Sequence, residues 1–537
     1  MKVKSLLKDI AGHLPLTAEL KWALRHRNGR IQSRFRLPLL EERGAELLRQ
    51  LETSAISPAT GRQVFLFASS HAWLMHILLV GLTLRGLGYR VKLGYLPYGH
   101  YDRPVNRFDL RLQDLYARHW LRPFEKYLEI VPFLSLPPAF LLPAALQEAL
   151  EQITLFDTQY IRQSEDISPD DPIYALRAKR NQAAARRALA FFRRQRPDVV
   201  IVPNGMIQEY AAVYEAARFL AIPAVTYEFG EHNHRIWLGQ NRLVIHHQID
   251  ELWESRKERK LTSEQRRELE EFLAGRQGLS TGEQFAHLWQ KTSPEGGKKI
   301  RATLGLDKRP VVLLPTNVLG DSATLGLTVF SRSMSEWLQR VLVYLARRTE
   351  VQVVVRIHPA ETWTVGPSVA EIIQQVLPQL PPHIRLIGPK EKINTYDLMD
   401  IADLALVYTT TAGLEMAVRG LPVLVSGRAH YRGKGFTLEA DSWDEYFAKL
   451  DTALKNIPQR LTPEQVEQAW NYAYTFFREY PRPFPWHLEK IGQHIKEYPL
   501  SLVLSEEGRV QFETTFRQLA GERLSQQTLA ADEKPTR

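Results

Sequence analysis

The sequence has no cysteine among its 537 residues. Disulfides and thiolate metal sites are therefore excluded, and a reducing compartment fits. Long apolar runs are scarce. Val64 to Leu84 has no charged residue and approaches the length of a spanning helix. Yet it holds Ser69, Ser70, His71 and His76, whose polar groups are costly in lipid, and its pattern changes at the serines. The expected reading is a buried strand, Gln63 to Ala68, followed by a helix from His71 to Arg85. Met1 to Leu40 is too charged to hold the apolar core of a secretory signal. Nucleotide and metal signatures are also missing. No Walker A loop or G-x-G-x-x-G follows either first strand, which argues against an NTPase and a dehydrogenase. The histidines lack H-E-x-x-H spacing, so no metal ligands are expected. No recognition module accompanies the basic charge, so nucleic acid is not an expected partner.

The chain is too long for one ordinary core, so two or more domains are expected. Hydrophobic residues at 44% and charged residues at 24% are ordinary for a soluble globular protein. The formal charge of +10 favours anionic partners such as nucleotides or acidic lipid headgroups. Met1 to Ser54 reads as amphipathic helices rich in Lys and Arg. They suit either a solvated extension packed on the first domain or a surface resting on anionic membrane.

From Arg62 onward, strands alternate with helices, the pattern of a parallel doubly wound sheet. VFLFAS, YRVKLGYLP, VVIVPNG and Ala224 to Tyr227 read as strands, and Glu228 to Arg235 as a polar loop. Asp102 to Pro143 is irregular and rich in proline and aromatics, and is expected to hold helices and insertions that the pattern does not place. After a charge-dense helical connection, Ile249 to Lys299, a second series begins with VVLLPTN, VQVVVRIHP and IRLIGP. It continues into Leu404 to Thr437, where a strand stops at Thr409, Thr410 and Thr411 before a helix. Hydroxyls there cap the free N–H groups, which together with the helix dipole also suit a phosphate. Arg428, His430, Arg432 and Lys434 follow between glycines, as a solvated basic loop or a ligand-binding one. The final residues from about Gln526 read as a disordered tail.

Two such halves with a helical link and closing C-terminal helices describe the GT-B architecture, two Rossmann-like domains facing a cleft. RIHPAE (Arg356 to Glu361), Tyr396-Asp397-Leu398, TTAGLE and RGLPVLVSGRAHYRGKGFT, in that order, resemble the bacterial capsule polysaccharide biosynthesis glycosyltransferases, which include Kdo transferases. The likeness covers Val311 to Thr437 and is faint before it. Expected boundaries are a helical extension over 1–60, an acceptor-side domain with its connection over 61–300, a nucleotide-sugar domain over 301–460, closing helices over 461–498, and a C-terminal helix and tail over 499–537.

The resemblance implies transfer of a sugar from a nucleotide sugar to a surface polysaccharide or glycolipid, with no resident cofactor. The expected partners are that donor, a saccharide or lipid-linked acceptor, and the inner membrane surface, in the cytoplasm. His358, at a strand end before Pro359, can donate a hydrogen bond to the leaving phosphate, the role of the His-Pro pair in similar families. A histidine satisfied at a strand end would look the same. Thr410, Thr411 and the N–H groups around Gly413 are donor candidates, with ordinary capping as the alternative. Glu415 is a candidate for ribose hydroxyls, and Arg428, Asn317 and Asp321 complete the donor side. Arg356 reads as structural. An acceptor-side base is expected to be Glu228 or Glu231, with His71 and Asn204 nearby. Open alternatives are a nucleotide-sugar epimerase, a polyol-phosphate transferase, and a non-catalytic assembly protein of the same fold.

Overall fold

The computed structural model describes residues 3–27, 33–230, 232–277 and 292–523. Among them the strands are β1 (Gln63–Ala68), β2 (Arg90–Tyr95), β3 (Glu129–Pro132), β4 (Val199–Pro203), β5 (Ala224–Phe229), β6 (Arg235–Gln240), β7 (Val311–Pro315), β8 (Gln352–Arg356), β9 (Ile384–Ile387), β10 (Leu404–Val407), β11 (Val423–Val425), β12 (Leu438–Glu439) and β13 (Arg482–Pro483). They form two sheets in two units. Two Rossmann-like α/β units in one chain are the components of the GT-B class, as the sequence led us to expect.

The first unit comprises residues 1–158, 168–245 and 482–537. Its sheet runs β13-β6-β5-β4-β1-β2-β3. β1 to β5 are parallel, with Val64 beside both Val91 and Val199, and Pro203 beside Tyr227. A parallel strand covered on both faces needs apolar residues throughout, and Val64 to Ala68 are all fully buried. Helix His71–Gly86 covers one face. A Cβ on Gly81 would touch Val91, and one on Gly86 would stand 2.4 Å from Leu504 Cδ2. The uncharged run is thus a strand and a helix buried in one core. Among the described residues, no helix is long and apolar enough to cross a membrane.

The second unit comprises residues 159–167 and 246–481. Its sheet, β12-β11-β10-β7-β8-β9, is parallel throughout. Buried Val312, Leu314, Val353, Val355, Leu404 and Leu406 pack against Trp337, Leu338 and Val341 of helix Met334–Leu345.

Three elements differ from the sequence reading. The stretch after Asp102 holds helix Arg107–Leu121, in line with the helices expected there, and also β3, which was not expected and extends the sheet beside β2. The polar loop after Tyr227 is the end of β5 and the antiparallel strand β6, where Glu228 lies opposite Trp237. The charged connection belongs to the second unit. Helix Ser263–Arg276 lies on helix Pro463–Tyr474, with Arg266 paired to Glu467 and Tyr474 donating to Glu268 at 3.0 Å. The chain then returns to the first unit after Pro481. β13 pairs antiparallel with β6, and Phe484, Trp486, Phe512 and Phe516 enter the first core. The closing segment is therefore divided between the units by what each part buries. The expected tail lies outside the described residues.

Candidate functional site

In the second sheet the chain enters at β7, adds β8 and β9 on one side, and then β10 to β12 on the other. The strand order reverses between β7 and β10, and open parallel sheets take ligands at such a point, beyond the carboxyl ends of the strands. Two expected residues, Asn317 and His358, come to this edge, together with Thr409 and Thr316. Asn317, leaving β7, accepts the N–H of Thr409, leaving β10, at 3.4 Å. His358, leaving β8, donates its backbone N–H to Thr316 Oγ1 at 3.2 Å. These bonds hold three strand-end loops together. The sequence reading singled out neither Thr316, although it adjoins Asn317, nor Thr409 as a site residue, although it adjoins Thr410.

His358 also caps the short 3-10 helix Pro359–Trp363, its Nδ1 accepting the Ala360 N–H at 3.1 Å. With Nδ1 an acceptor, the proton of the neutral ring sits on Nε2. Burial, with the Arg356 charge adding to it, pushes the imidazole pKa down to about 4. The ring is thus a neutral N–H donor at physiological pH. Arg356 itself is buried and donates to the carbonyls of Gly388 and Ile393, a structural role. Asp321 turns inward, accepting the Ala323 N–H at 3.0 Å, and burial raises its pKa.

The threonine turn is more self-contained than expected. Helix Ala412–Val418 has no side-chain cap from Thr411, and Thr410 Oγ1 reaches only the Ala412 N–H, at 3.4 Å. The N–H groups of Gly413 and Leu414 donate to the carbonyls of Thr410 and Thr411, each at 3.0 Å. The Gly413 amide is therefore used inside the turn. Gly413 serves close packing, since a Cβ there would lie 2.1 Å from the Tyr431 hydroxyl, which donates to Thr410 O at 2.7 Å.

Glu415 faces the interior. One carboxylate oxygen accepts Arg276 Nη2 at 2.7 Å and the other accepts Tyr396 Oη at 2.6 Å. At 3% exposure it ties two helices to the turn, which replaces the expected contact with ribose. The basic loop is likewise mostly inward. Arg432 donates to Ala440 O and Asp441, Lys434 pairs with Asp250, and His430 stacks on Phe476 with centroids 3.8 Å apart. Burial pushes the His430 imidazole well below its usual pKa. Arg428 is exposed, its backbone N–H fixed on Leu327 O at 2.8 Å. Of these four side chains it is the exposed one.

In the first unit the strand order reverses between β1 and β4. β4 ends in two residues with positive φ, Asn204 at 53° and Gly205 at 85°. Asparagine and glycine tolerate that conformation best. The turn aims Asn204 Nδ2 at Glu228 Oε2, 3.1 Å away at the end of β5. Two candidates far apart in sequence thus share a hydrogen bond. The half-buried Glu228 also accepts the Phe229 N–H at 3.0 Å. After β1, Ser70 accepts the Tyr210 hydroxyl at 3.1 Å, and exposed His71 lies edge-on to Phe35 at 6.5 Å. Glu231 lies outside the described residues.

The fold also gathers His234, His494 and Glu497, each offering an atom within 4.8 Å of the others. No sequence spacing announces this cluster. It suits a metal poorly, because His494 Nδ1 accepts the His487 N–H at 2.9 Å. The neutral ring then carries its proton on Nε2, where a metal needs a lone pair.

Residues 247–458 match the sequence profile of a family described as "Capsule polysaccharide biosynthesis protein". No curated protein matches the chain. Among solved structures, the chain is similar to the beta Kdo 2,4 transferase KpsC of Thermosulfurimonas dismutans, at 15% identity and a TM-score of 0.36, over 54% of this chain and 83% of that one. It is also similar to the UDP-GlcNAc 2-epimerase of Neisseria meningitidis bound to UDP-GlcNAc, at 13% identity and a TM-score of 0.24, over 77% and 99%. The matched segment holds β7 to β12 with His358, Asn317 and Thr409, so the likeness to the capsule polysaccharide biosynthesis profile lies in the second Rossmann-like unit.

Proposed function

We propose that the protein is a glycosyltransferase of surface polysaccharide assembly, moving a sugar from a nucleotide-sugar donor to a saccharide or lipid-linked acceptor. The observation that carries this reading is the position of His358 at the carboxyl end of β8, next to the reversal point of a parallel sheet, with its backbone tied to Thr316 and its Nδ1 accepting the Ala360 N–H. The family match over the same segment supports it.

In the proposed reaction, the bond between the anomeric carbon and the phosphate oxygen breaks as the acceptor oxygen bonds to that carbon. Charge develops on the departing phosphate, and a fixed donor stabilises it most as that charge grows. His358 Nε2–H supplies that hydrogen bond, and Arg428 and the Thr410–Thr411 hydroxyls add contacts to the donor. Glu228, oriented by Asn204, takes the acceptor hydroxyl proton as general base.

Incubation with CMP-, UDP- and GDP-sugars and a panel of acceptor glycans, reading nucleotide release and product mass, tests the proposal. Transfer to a glycan is the expected result. Interconversion of the free nucleotide sugar would identify an epimerase instead, and calorimetry showing no nucleotide binding would refute both enzymes.

A further inference from the structure

The first two helices meet the protein through ion-paired and hydrogen-bonded residues, joined in the second by Ala18 and Trp22. In helix Val3–His13, Lys8 pairs with Asp109 at 2.9 Å and Asp9 accepts the Arg107 N–H at 3.0 Å. A Cβ on Gly12 would stand 2.4 Å from Phe108 N, so this helix lies directly on the start of helix Arg107–Leu121. In helix Thr17–Arg27, Glu19 pairs with Arg111, Ala18 is fully buried, and Trp22 packs edge-on to Tyr116.

The opposite faces carry leucine. Leu7, Ile10 and Leu14 are 60%, 54% and 52% exposed, and Leu16, Leu20 and Leu24 are 64%, 63% and 63% exposed. Within the helices, Leu7 and Ile10 stand three residues apart and Leu20 and Leu24 four, so each pair shares one face, and Leu14 and Leu16 are exposed in the turn between the helices. A helix packed on a soluble core buries its apolar stripe; here that stripe is left outside. The same stretch of sequence is basic. Up to residue 36, nine Lys and Arg stand against two carboxylates, a net +7 of the chain's +10. Both carboxylates, Asp9 and Glu19, are engaged by helix Arg107–Leu121.

We infer that these two helices dock the protein on an anionic lipid surface, the exposed leucines entering the acyl boundary and the cations meeting the headgroups. Charge selects this occupant over a second copy of the chain. A two-fold interface through the same face would set one +7 segment against another, whereas acidic lipids neutralise it.

Sedimentation of the full-length protein with phosphatidylcholine vesicles, with and without phosphatidylglycerol, tests this inference. We expect binding to the anionic vesicles, weakened by salt, and little to phosphatidylcholine alone. Leu20→Ser/Leu24→Ser should lower partitioning at least about tenfold, since moving one leucine from water to an apolar phase is worth about that factor. The changed side chains are exposed, so the melting temperature and transfer to a water-soluble acceptor should not change. Three results would overturn the inference: no binding to anionic vesicles, equal binding by the variant, or a concentration-dependent dimer that the variant dissolves. The last would show that the face joins two copies. None depends on whether the protein is a transferase.

Discussion

The backbone N–H of His358 donates to Thr316 Oγ1 at 3.2 Å, fastening the end of β8 to the end of β7. Together with the Ala360 N–H on Nδ1, this sets the ring's position, and burial sets its protonation. His358→Ala should therefore lower kcat by about 10²–10³, the loss seen when one fixed transition-state donor is removed. Nucleotide affinity should change little, because the bond strengthens mainly as the phosphate departs. Steady-state kinetics with calorimetry checks both. Because the imidazole stays neutral down to about pH 4, His358 should contribute no ionisation limb between pH 5 and 8.

Glu228→Gln keeps the shape of the side chain and the bond from Asn204 but removes the base. The expected fall in kcat is about 10²–10⁴, with donor binding retained. Unchanged transfer would move the base elsewhere, and Glu231 would be the next candidate.

Glu415→Gln tests a structural role against a ligand role. The buried carboxylate meets Arg276 and Tyr396, and breaking such a pair destabilises by about 3–5 kcal/mol because a buried charge loses its partner. Denaturant unfolding should show that loss. A fall in nucleotide affinity at full stability would restore the ribose contact.

Gly413→Ala should destabilise by about 1–3 kcal/mol, because a Cβ 2.1 Å from the Tyr431 hydroxyl forces a buried ring to move. Tyr431→Phe removes only the bond to Thr410 O and should cost about 1 kcal/mol. Combining Gly413→Ala with Tyr431→Ala should recover part of the first loss, read as a positive coupling in thermal melts.

Acid stability follows from His76. It is fully buried between the Tyr227 hydroxyl and the Trp486 carbonyl, and burial lowers its pKa from 6.5 to about 4. Between those values the unfolded chain holds a proton that the folded chain does not. Stability therefore falls as pH drops from 6.5 toward 4, by up to about 1.4 kcal/mol per pH unit from this residue. His76→Gln should flatten that slope, measured as unfolding free energy at pH 7 and pH 5.

The sequence alone determined the alternation of strand and helix, the two Rossmann-like series and the strand-end position of His358. Strand apolarity and the stop after it are local properties, so Val64 to Ala68 and Val311 to Pro315 could be read directly. Shorter or polar strands could not. β3 and β6 exist because a neighbouring edge offers hydrogen bonds, and β13 because β6 lies open to it.

Burial and pairing of polar side chains were decided only by the tertiary structure. TTAGLE reads the same whether Glu415 meets a ribose or Arg276, and its position in the first helical turn suits both. Arg276 lies 139 residues away, and packing alone brings it to 2.7 Å. The pairing of Asn204 with Glu228 and the outward leucines of the first helices have the same origin. Local patterning states which groups a segment offers; the choice of partner depends on which distant surfaces the fold presses together.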